Sequence, residues 1–482
     1  MRWPDSAMPV RMRRVALVAP EDTLRDALVR VAAAAAVELD RGDRDEGTPG
    51  AAARRLRRAG QLPRRPALAV ARPDLDRLEQ AGRYDLLAGE AELEAYAAAA
   101  VRRSGAAALA GWIPAARLPE VAATLAQVGG ALVPLRHPAG LEAPTMLAGH
   151  PMHRALTPLV ETYGTVPYAD LDPTWLTWAS YVLMFGMMFG DAGQGLMLVG
   201  VAVALRAGWP RWARRFRAAW PFVGGAGVAA TFFGLLYGEC FGPTGLVPTI
   251  WINPLSHPVT LLLAAAGIGA ILLAAAYAVG MVNRWREGGW PSVLYAPSGI
   301  AGSCVFLGAA VLIGGWYSHE VWLLAAGGAV ALAGLALAAA GFLAAAGRGA
   351  TGVAQASVEL VDLVVRLGSN VVSFTRLAAF GLTHAALGLL VWEGTRALWQ
   401  RGGIPAAAAG VLVFAAGTAL AFSLEALVAA IQALRLEYYE LFSRIFVAQG
   451  QPFRPWHVPT ESGDQVLVQD GVPELIMKGA EA

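Results

Sequence analysis

Two arginines lie inside apolar stretches that read as membrane helices. Arg376 sits in SNVVSFTRLAAFGLTHAALGLLVW (369–392) and Arg435 in EALVAAIQALRLEYYELFSRIF (425–446). A charged side chain at bilayer depth is costly, so each arginine calls for a purpose. Other polar groups stand near them at helical spacing: Asp362 and Arg366 just before the first stretch and His384 within it, and Glu425, Gln432 and Glu440 on the second. At about 100° per residue, Arg376 is turned roughly 40° from Asp362 in one sense and His384 about 80° back from Arg376 in the other, which predicts one broad polar face. Glu425, Gln432 and Arg435 fall on a second stripe, about 15 Å long at ~1.5 Å per residue, and Glu440 extends it.

An arginine cannot release its proton at useful pH and is a poor relay. It is a good permanent counter-charge, able to keep a passing carboxylate ionised. Carboxylates and histidine can relay protons. The pattern therefore reads as a fixed positive barrier, Arg376 and Arg435, flanked by proton-accessible groups, with the mobile carboxylate allowed to lie in another chain. A plainer reading has Arg376 and Glu425 merely pin two helices together. It leaves His384, Gln432 and the second arginine unexplained. Arg366 reads as an interfacial residue that snorkels, and His384 taken alone could be a packing histidine.

The elements that must carry these residues follow from composition. The 482 residues are 56% hydrophobic and 15% charged, too apolar for a soluble protein of this size. The charge is uneven: 22 of the 37 arginines fall in residues 1–172. Long apolar runs follow, near 174–190, 192–208, 218–237, 257–282, 292–316, 321–346, 357–398 and 405–447. This predicts a mainly α membrane protein of about eight transmembrane helices, the last two long and tilted, preceded by a small α/β cytoplasmic domain. The expected divisions are 1–172, 173–449 and a cytoplasmic tail, 450–482. RAGWPRWARRFR (206–217) carries five arginines and no acid and should face the cytoplasm, whereas 238–256 has no Lys or Arg and should be outside. Two crossings must then precede 206, which puts a turn at Gly190-Asp191, with glycine supplying positive φ.

The N-terminal domain reads as two small βα-type units joined by a helical arm. RRVALVA (13–19), VEL (37–39), AAALAGWIP (106–114) and GALVPLRHP (130–138) are strand candidates, and 40–66 is a charged linker. No cleavable leader is expected at the start. Acids interspersed among the basic residues argue against a nucleic-acid partner. Cys240 and Cys304 have no metal or redox spacing. The single lysine, Lys478, precedes Gly479 and cannot serve a P-loop, so neither a cofactor nor ATP binding by that route is expected.

FGMMFGDAGQGL (185–196), SNVVSFTRLAAFGLTHAAL (369–387) and the 425–446 stretch, in that order, resemble subunit a (subunit I) of the V-type and archaeal/bacterial A-type rotary ATPases, as do YGTVPYADLDPT (163–174) and GWIP (111–114). The resemblance implies a stator subunit that is not itself catalytic for ATP. It would hold two ion half-channels against a ring of proteolipid (c-type) subunits and couple proton or sodium movement to ATP hydrolysis or synthesis. It implies peripheral-stalk, central-stalk and catalytic-head partners, and a multi-pass location in a prokaryotic plasma membrane with both termini cytoplasmic. Arg376 and Arg435 match the family's two arginines. Asp362 and Glu425 match family glutamates, and His384, Gln432 and Glu440 fall at matching polar positions. The sequence departs from the pattern in its short N-terminal region, in Asp362 replacing glutamate and in Gln194 within GDAGQG. A secondary transporter or ion channel is the competing reading. It would bind its substrate within this chain, usually between repeated halves, and no convincing repeat is seen.

Overall fold

The computed structural model describes residues 8–40, 49–60, 65–136, 140–147, 151–296, 298–346, 349–446 and 449–461. Of the tail 450–482, the part from 462 onward, Lys478 included, lies outside the described residues, as do 41–48 and 61–64 of the expected linker. The chain forms two compact units. One contains Val10–Met146 together with the segment from Gln451, and the other contains Leu147–Gly450. The stretch 147–172 thus lies with the helical unit.

The first unit comprises β1 (Met12–Pro20), α1 (Leu24–Ala34), β2 (Glu38–Leu39), α2 (Ala51–Ala59), β3 (Leu68–Ala69), α3 (Leu75–Gln80), α4 (Tyr84–Ala99), β4 (Val101–Arg103), β5 (Ala106–Pro114), α5 (Leu118–Ala126), β6 (Ala131–Pro134) and β7 (Thr460–Glu461). Its sheet runs β2-β5-β1-β6 with β4 also on β5, every pairing antiparallel. The expected strands form, but in one shared sheet rather than two βα units, because β1 pairs along its full length with β5, Leu17 opposite Leu109. Alternation along β1 buries Val15, Leu17 and Ala19 against Leu28 of α1 and Leu125 of α5. β7 pairs parallel with β3, and Arg83 clamps it by donating to Glu461 (2.6 Å) and to Asp85 (2.8 Å).

The second unit is helical: α6 (Pro151–Tyr163), α7 (Thr174–Met188), α8 (Ala192–Ala207), a 3-10 stretch at Arg211–Ala219, α9 (Trp220–Tyr237), α10 (Pro258–Tyr295), α11 (Ile300–Ser318), α12 (Val321–Ala346), α13 (Ala350–Ser373), α14 (Thr375–Gln400), α15 (Ile404–Leu436), a π turn at Glu437–Phe442 and a last turn at Ser443–Ile445. Among the described residues, six helical runs are long and apolar enough to cross a membrane: 211–237, 258–291, 293–318, 321–346, 350–400 and 404–445. The other two expected spans form as α7 and α8, of 15 and 16 residues, short of the roughly 20 that a crossing helix needs. They are joined at Gly190-Asp191. Gly190 is not among the glycines of positive φ, so the turn does not use that freedom. Closeness is the constraint instead, since a Cβ there would lie 2.5 Å from the Tyr237 ring.

The 350–400 run is not one helix. It breaks at Phe374, with no proline present. Thr375 Oγ1 donates to the Val372 carbonyl (2.7 Å) and Arg376 Nε to the Ser373 carbonyl (2.9 Å), and such side-chain intrusion is a known cause of helix breaks. Phe374 is fully buried and presses on α10 at Gly269, where a Cβ would meet its ring at 2.2 Å. The predicted common face of Asp362, Arg366, Arg376 and His384 assumed an unbroken helix, whereas the run is interrupted at Phe374, between Arg366 and Arg376.

In the first unit, the hydrogen bond from Arg83 holds the Asp85 carboxyl below the usual carboxylate range. A group whose folded pKa is depressed stabilises the fold above its unfolded pKa and loses that contribution as pH falls through the folded value. Arg83→Ala should therefore cost about 1 kcal/mol at neutral pH, and the difference should shrink below pH ~4. Thermal unfolding of wild type and variant across pH, with hydrogen exchange at β3, tests this.

Candidate functional site

Among the described residues of the helical unit, two polar clusters are built around buried or partly buried residues that the sequence singled out. The first gathers around His384, which lies on α14 and is 4% exposed. Its Nδ1 is hydrogen-bonded to Glu425 of α15, and its Nε2 is 3.9 Å from Asp191 Oδ2 in the α7–α8 turn. Asp191 is completely buried. It caps α8 by accepting from the Gln194 amide (2.8 Å), and it also accepts from the amides of Phe241 (2.9 Å) and Gly242 (2.7 Å). Glu239, at the start of the same loop, is also buried. The Phe189 ring covers the imidazole at a centroid distance of 4.9 Å.

A histidine facing carboxylates from both ring nitrogens satisfies both contacts only if the cluster holds an extra proton, on the imidazole or on a carboxyl. Such a group can hold and pass protons in surroundings that exclude bulk water. One Glu425 oxygen and the Gln194 side-chain oxygen are buried with no hydrogen-bond partner in the structure, so acceptor capacity remains at the cluster.

The second cluster forms at the helix break. The break places Arg376 in the first turn of α14, where Nη2 pairs with Glu440 Oε1 at 3.2 Å. With its amide nitrogen turned towards that carboxylate, Asn370 donates to Glu440 Oε2 (2.8 Å) and accepts from Arg444 Nη2 (3.1 Å). Arg444 stacks over Tyr277 at 5.6 Å. Arg376 keeps 25% of its side chain exposed, whereas Glu440 keeps 9%. Glu440 reaches inward through the π turn, whose wider winding re-phases the end of α15; π turns recur at functional sites. Glu437 in the same turn is fully buried and accepts from Ser180 Oγ of α7 at 2.7 Å.

The structure thus brings together His384 with Glu425, and Arg376 with Glu440. It does not pair Arg376 with Glu425. Asp362 and Arg366 form an i,i+4 ion pair on α13 with side chains 47% and 67% exposed, and Arg435 is exposed on α15. Gln432 is half-buried, with its side-chain oxygen unpartnered. Sequence reasoning assigned Asp191 only a turn and overlooked Glu239, Glu437, Asn370 and Arg444. The acids were visible as charges beside apolar runs (GEC at 238–240, LEYYE at 436–440), a signal that could have flagged them. Asn370 carried no such mark.

Residues 98–287 match the V-type ATPase 116 kDa subunit family. The chain is 29% identical to an A-type ATP synthase subunit I of Aeropyrum pernix over 348 residues, covering 62% of this chain and 49% of that protein. It is 25% identical to the subunit I of Thermococcus kodakarensis over 368 residues, covering 72% and 54%. It is 33% identical to a V-type ATP synthase subunit I 2 of Treponema pallidum over 159 residues, covering 30% and 34%. The chain is a homologue of the subunit I proteins. It spans about half the length of the first two relatives. Together with the six long apolar helices, this makes it a multi-pass membrane protein.

Asp191 joins the turn, the α8 cap, the 241–242 loop and His384, so its loss should be structural as well as chemical. Asp191→Ala frees two buried amides and one part-buried amide and should cost about 3 kcal/mol or more. Asp191→Asn, which keeps an acceptor oxygen, should cost less. Melting temperatures of the purified variants in detergent check the order, and equal melting of Asp191→Ala and wild type would refute it.

Proposed function

We propose that this chain is the ion-translocating membrane subunit of a rotary ATPase, non-catalytic for ATP. It would stand against a ring of proteolipid subunits, each bringing one carboxylate. The observation that carries this reading is Arg376, a permanent cation at a break between two membrane helices, anchored by Glu440 and still partly open. The homology to subunit I supports it.

The physical role follows. An ionised ring carboxylate cannot cross lipid alone, but it can pass a fixed guanidinium. A neutralised one crosses freely. Arg376, with the exposed Arg435, would keep two aqueous half-channels apart. The His384–Glu425–Asp191 cluster would pass protons along one of them, with Gln432 and Glu440 along the internal paths and Asp362 at an exposed one. Protons are favoured over sodium by a histidine shared between carboxylates. The first 172 residues would bind the peripheral stalks, and the partners would include the central stalk and catalytic head. The protein would lie in a prokaryotic plasma membrane with both termini cytoplasmic.

Arg376→Ala should abolish coupled transport while leaving assembly largely intact, because Glu440 keeps its contact with Asn370. Arg376→Lys is expected to rescue poorly, since a desolvated lysine can give up its proton. Glu425→Gln should slow flux several-fold without uncoupling it. The measurement is ATP-driven pumping by the reconstituted complex, and full pumping by Arg376→Ala would sink the assignment.

Topology offers a separate check. Single cysteines placed in 206–217 of a variant lacking Cys240 and Cys304 should resist an impermeant maleimide in intact cells, while those in 238–256 should react. Outside labelling of 206–217 would invert the orientation.

A further inference from the structure

The basic segment between α8 and α9 has a role left open by ion transport. Arg206, Arg211, Arg214, Arg215 and Arg217 are all exposed, and among the described residues none of them has an ion-pair partner. Trp209 and Trp212, each 72% exposed, and Phe216 stand among them. Clustered arginines with amphipathic aromatics suit the headgroup level of a bilayer, where anionic lipids attract basic segments.

A second observation meets the first at one residue. An apolar groove of about 580 Å³ runs between α7 and α9, walled by Trp178, Val182, Trp220, Gly224, Val228 and Phe232. Arg206 stacks its guanidinium over the Trp220 ring at 4.9 Å, so the cationic patch reaches the groove. From Trp220 to Phe233 the groove follows α9 for about 20 Å, enough to line one leaflet of the hydrocarbon core, about 15 Å. Trp178 spends its indole N–H on the Pro221 carbonyl (3.2 Å), which leaves an apolar wall.

We propose that the 206–217 arginines and the α7–α9 groove form one binding site for an anionic phospholipid. Its phosphate would sit on the arginines and one acyl chain along the groove. Protein surfaces that are apolar at one end and cationic at the other complement this class of molecule at both ends, and a zwitterionic lipid satisfies the cationic end poorly. The site goes beyond the ion pathway and stands whether or not the chain translocates ions.

The test titrates the purified, delipidated full-length chain in mild detergent with dioleoylphosphatidylglycerol or dioleoylphosphatidylcholine, and counts retained lipid by native mass spectrometry. Phosphatidylglycerol should bind about tenfold or more tightly than phosphatidylcholine. Arg211→Gln with Arg214→Gln and Arg215→Gln should weaken phosphatidylglycerol by about tenfold to a hundredfold, each near-surface arginine contributing roughly fivefold. The same three changed to lysine keep the charge and should retain most of the affinity, which controls for folding. Val228→Trp, filling the groove from an exposed position, should also weaken binding. Equal retention of the two lipids, or unchanged phosphatidylglycerol affinity in either the glutamine or the Val228→Trp variant, would overturn the proposal.

Discussion

The helical unit depends on one constraint: ionised groups inside an apolar body must be matched, because an unmatched charge costs several kcal/mol. Asp191 shows how far the constraint reaches. Its carboxylate draws three backbone amides and an imidazole onto one point, and thereby fixes the α7–α8 turn, the loop after α9 and the face that α14 presents. The short helices α7 and α8 make sense in this light. They are too short to cross on their own, and their junction is held by polar contacts inside the protein rather than by lipid.

The two clusters differ in kind. Around His384 all the partners can gain or lose a proton, so the cluster can change charge without moving its frame. Around Arg376 the cations, Arg376 and Arg444, are permanent and are joined through Glu440 and Asn370. Variable and fixed charge thus sit about two turns apart on the same helix, α14, each held by a carboxylate from α15 or its π turn. The helix break at Phe374 sets Arg376 in the first turn of α14, about two turns before His384.

Much of this was legible in the sequence, and the failures have physical causes. The apolar runs marked the helices from α7 to α15, with α13 and α14 read as one and α6 missed, since hydropathy depends on composition and not on packing. The strands of the first unit were legible from alternation, but their assembly into one antiparallel sheet was not, because β1–β5 pairing joins residues about ninety positions apart. Arg376, His384, Glu425 and Glu440 stood out as charges among apolar neighbours. Their pairing did not, because angles summed along an ideal helix fail wherever the winding changes, at Phe374 and again at Glu437. Gly190 was noticed for the right position and the wrong reason: the sequence marks a glycine, and only the fold reveals that Tyr237 lies against it.

The π turn at Glu437–Phe442 holds one residue more than an α-helix would place in the same length. Deleting any one residue there would let the α-helix run straight through. Hydropathy, helix content and even the family resemblance would hardly change. Because the π turn absorbs its extra residue, what lies beyond it, Arg444 included, would keep its facing, whereas Glu440, inside the turn, would lose the phase that brings it to Arg376 and Asn370. In an alignment of relatives, a single-residue gap at this point would separate chains that keep the second cluster from chains that only look as though they do.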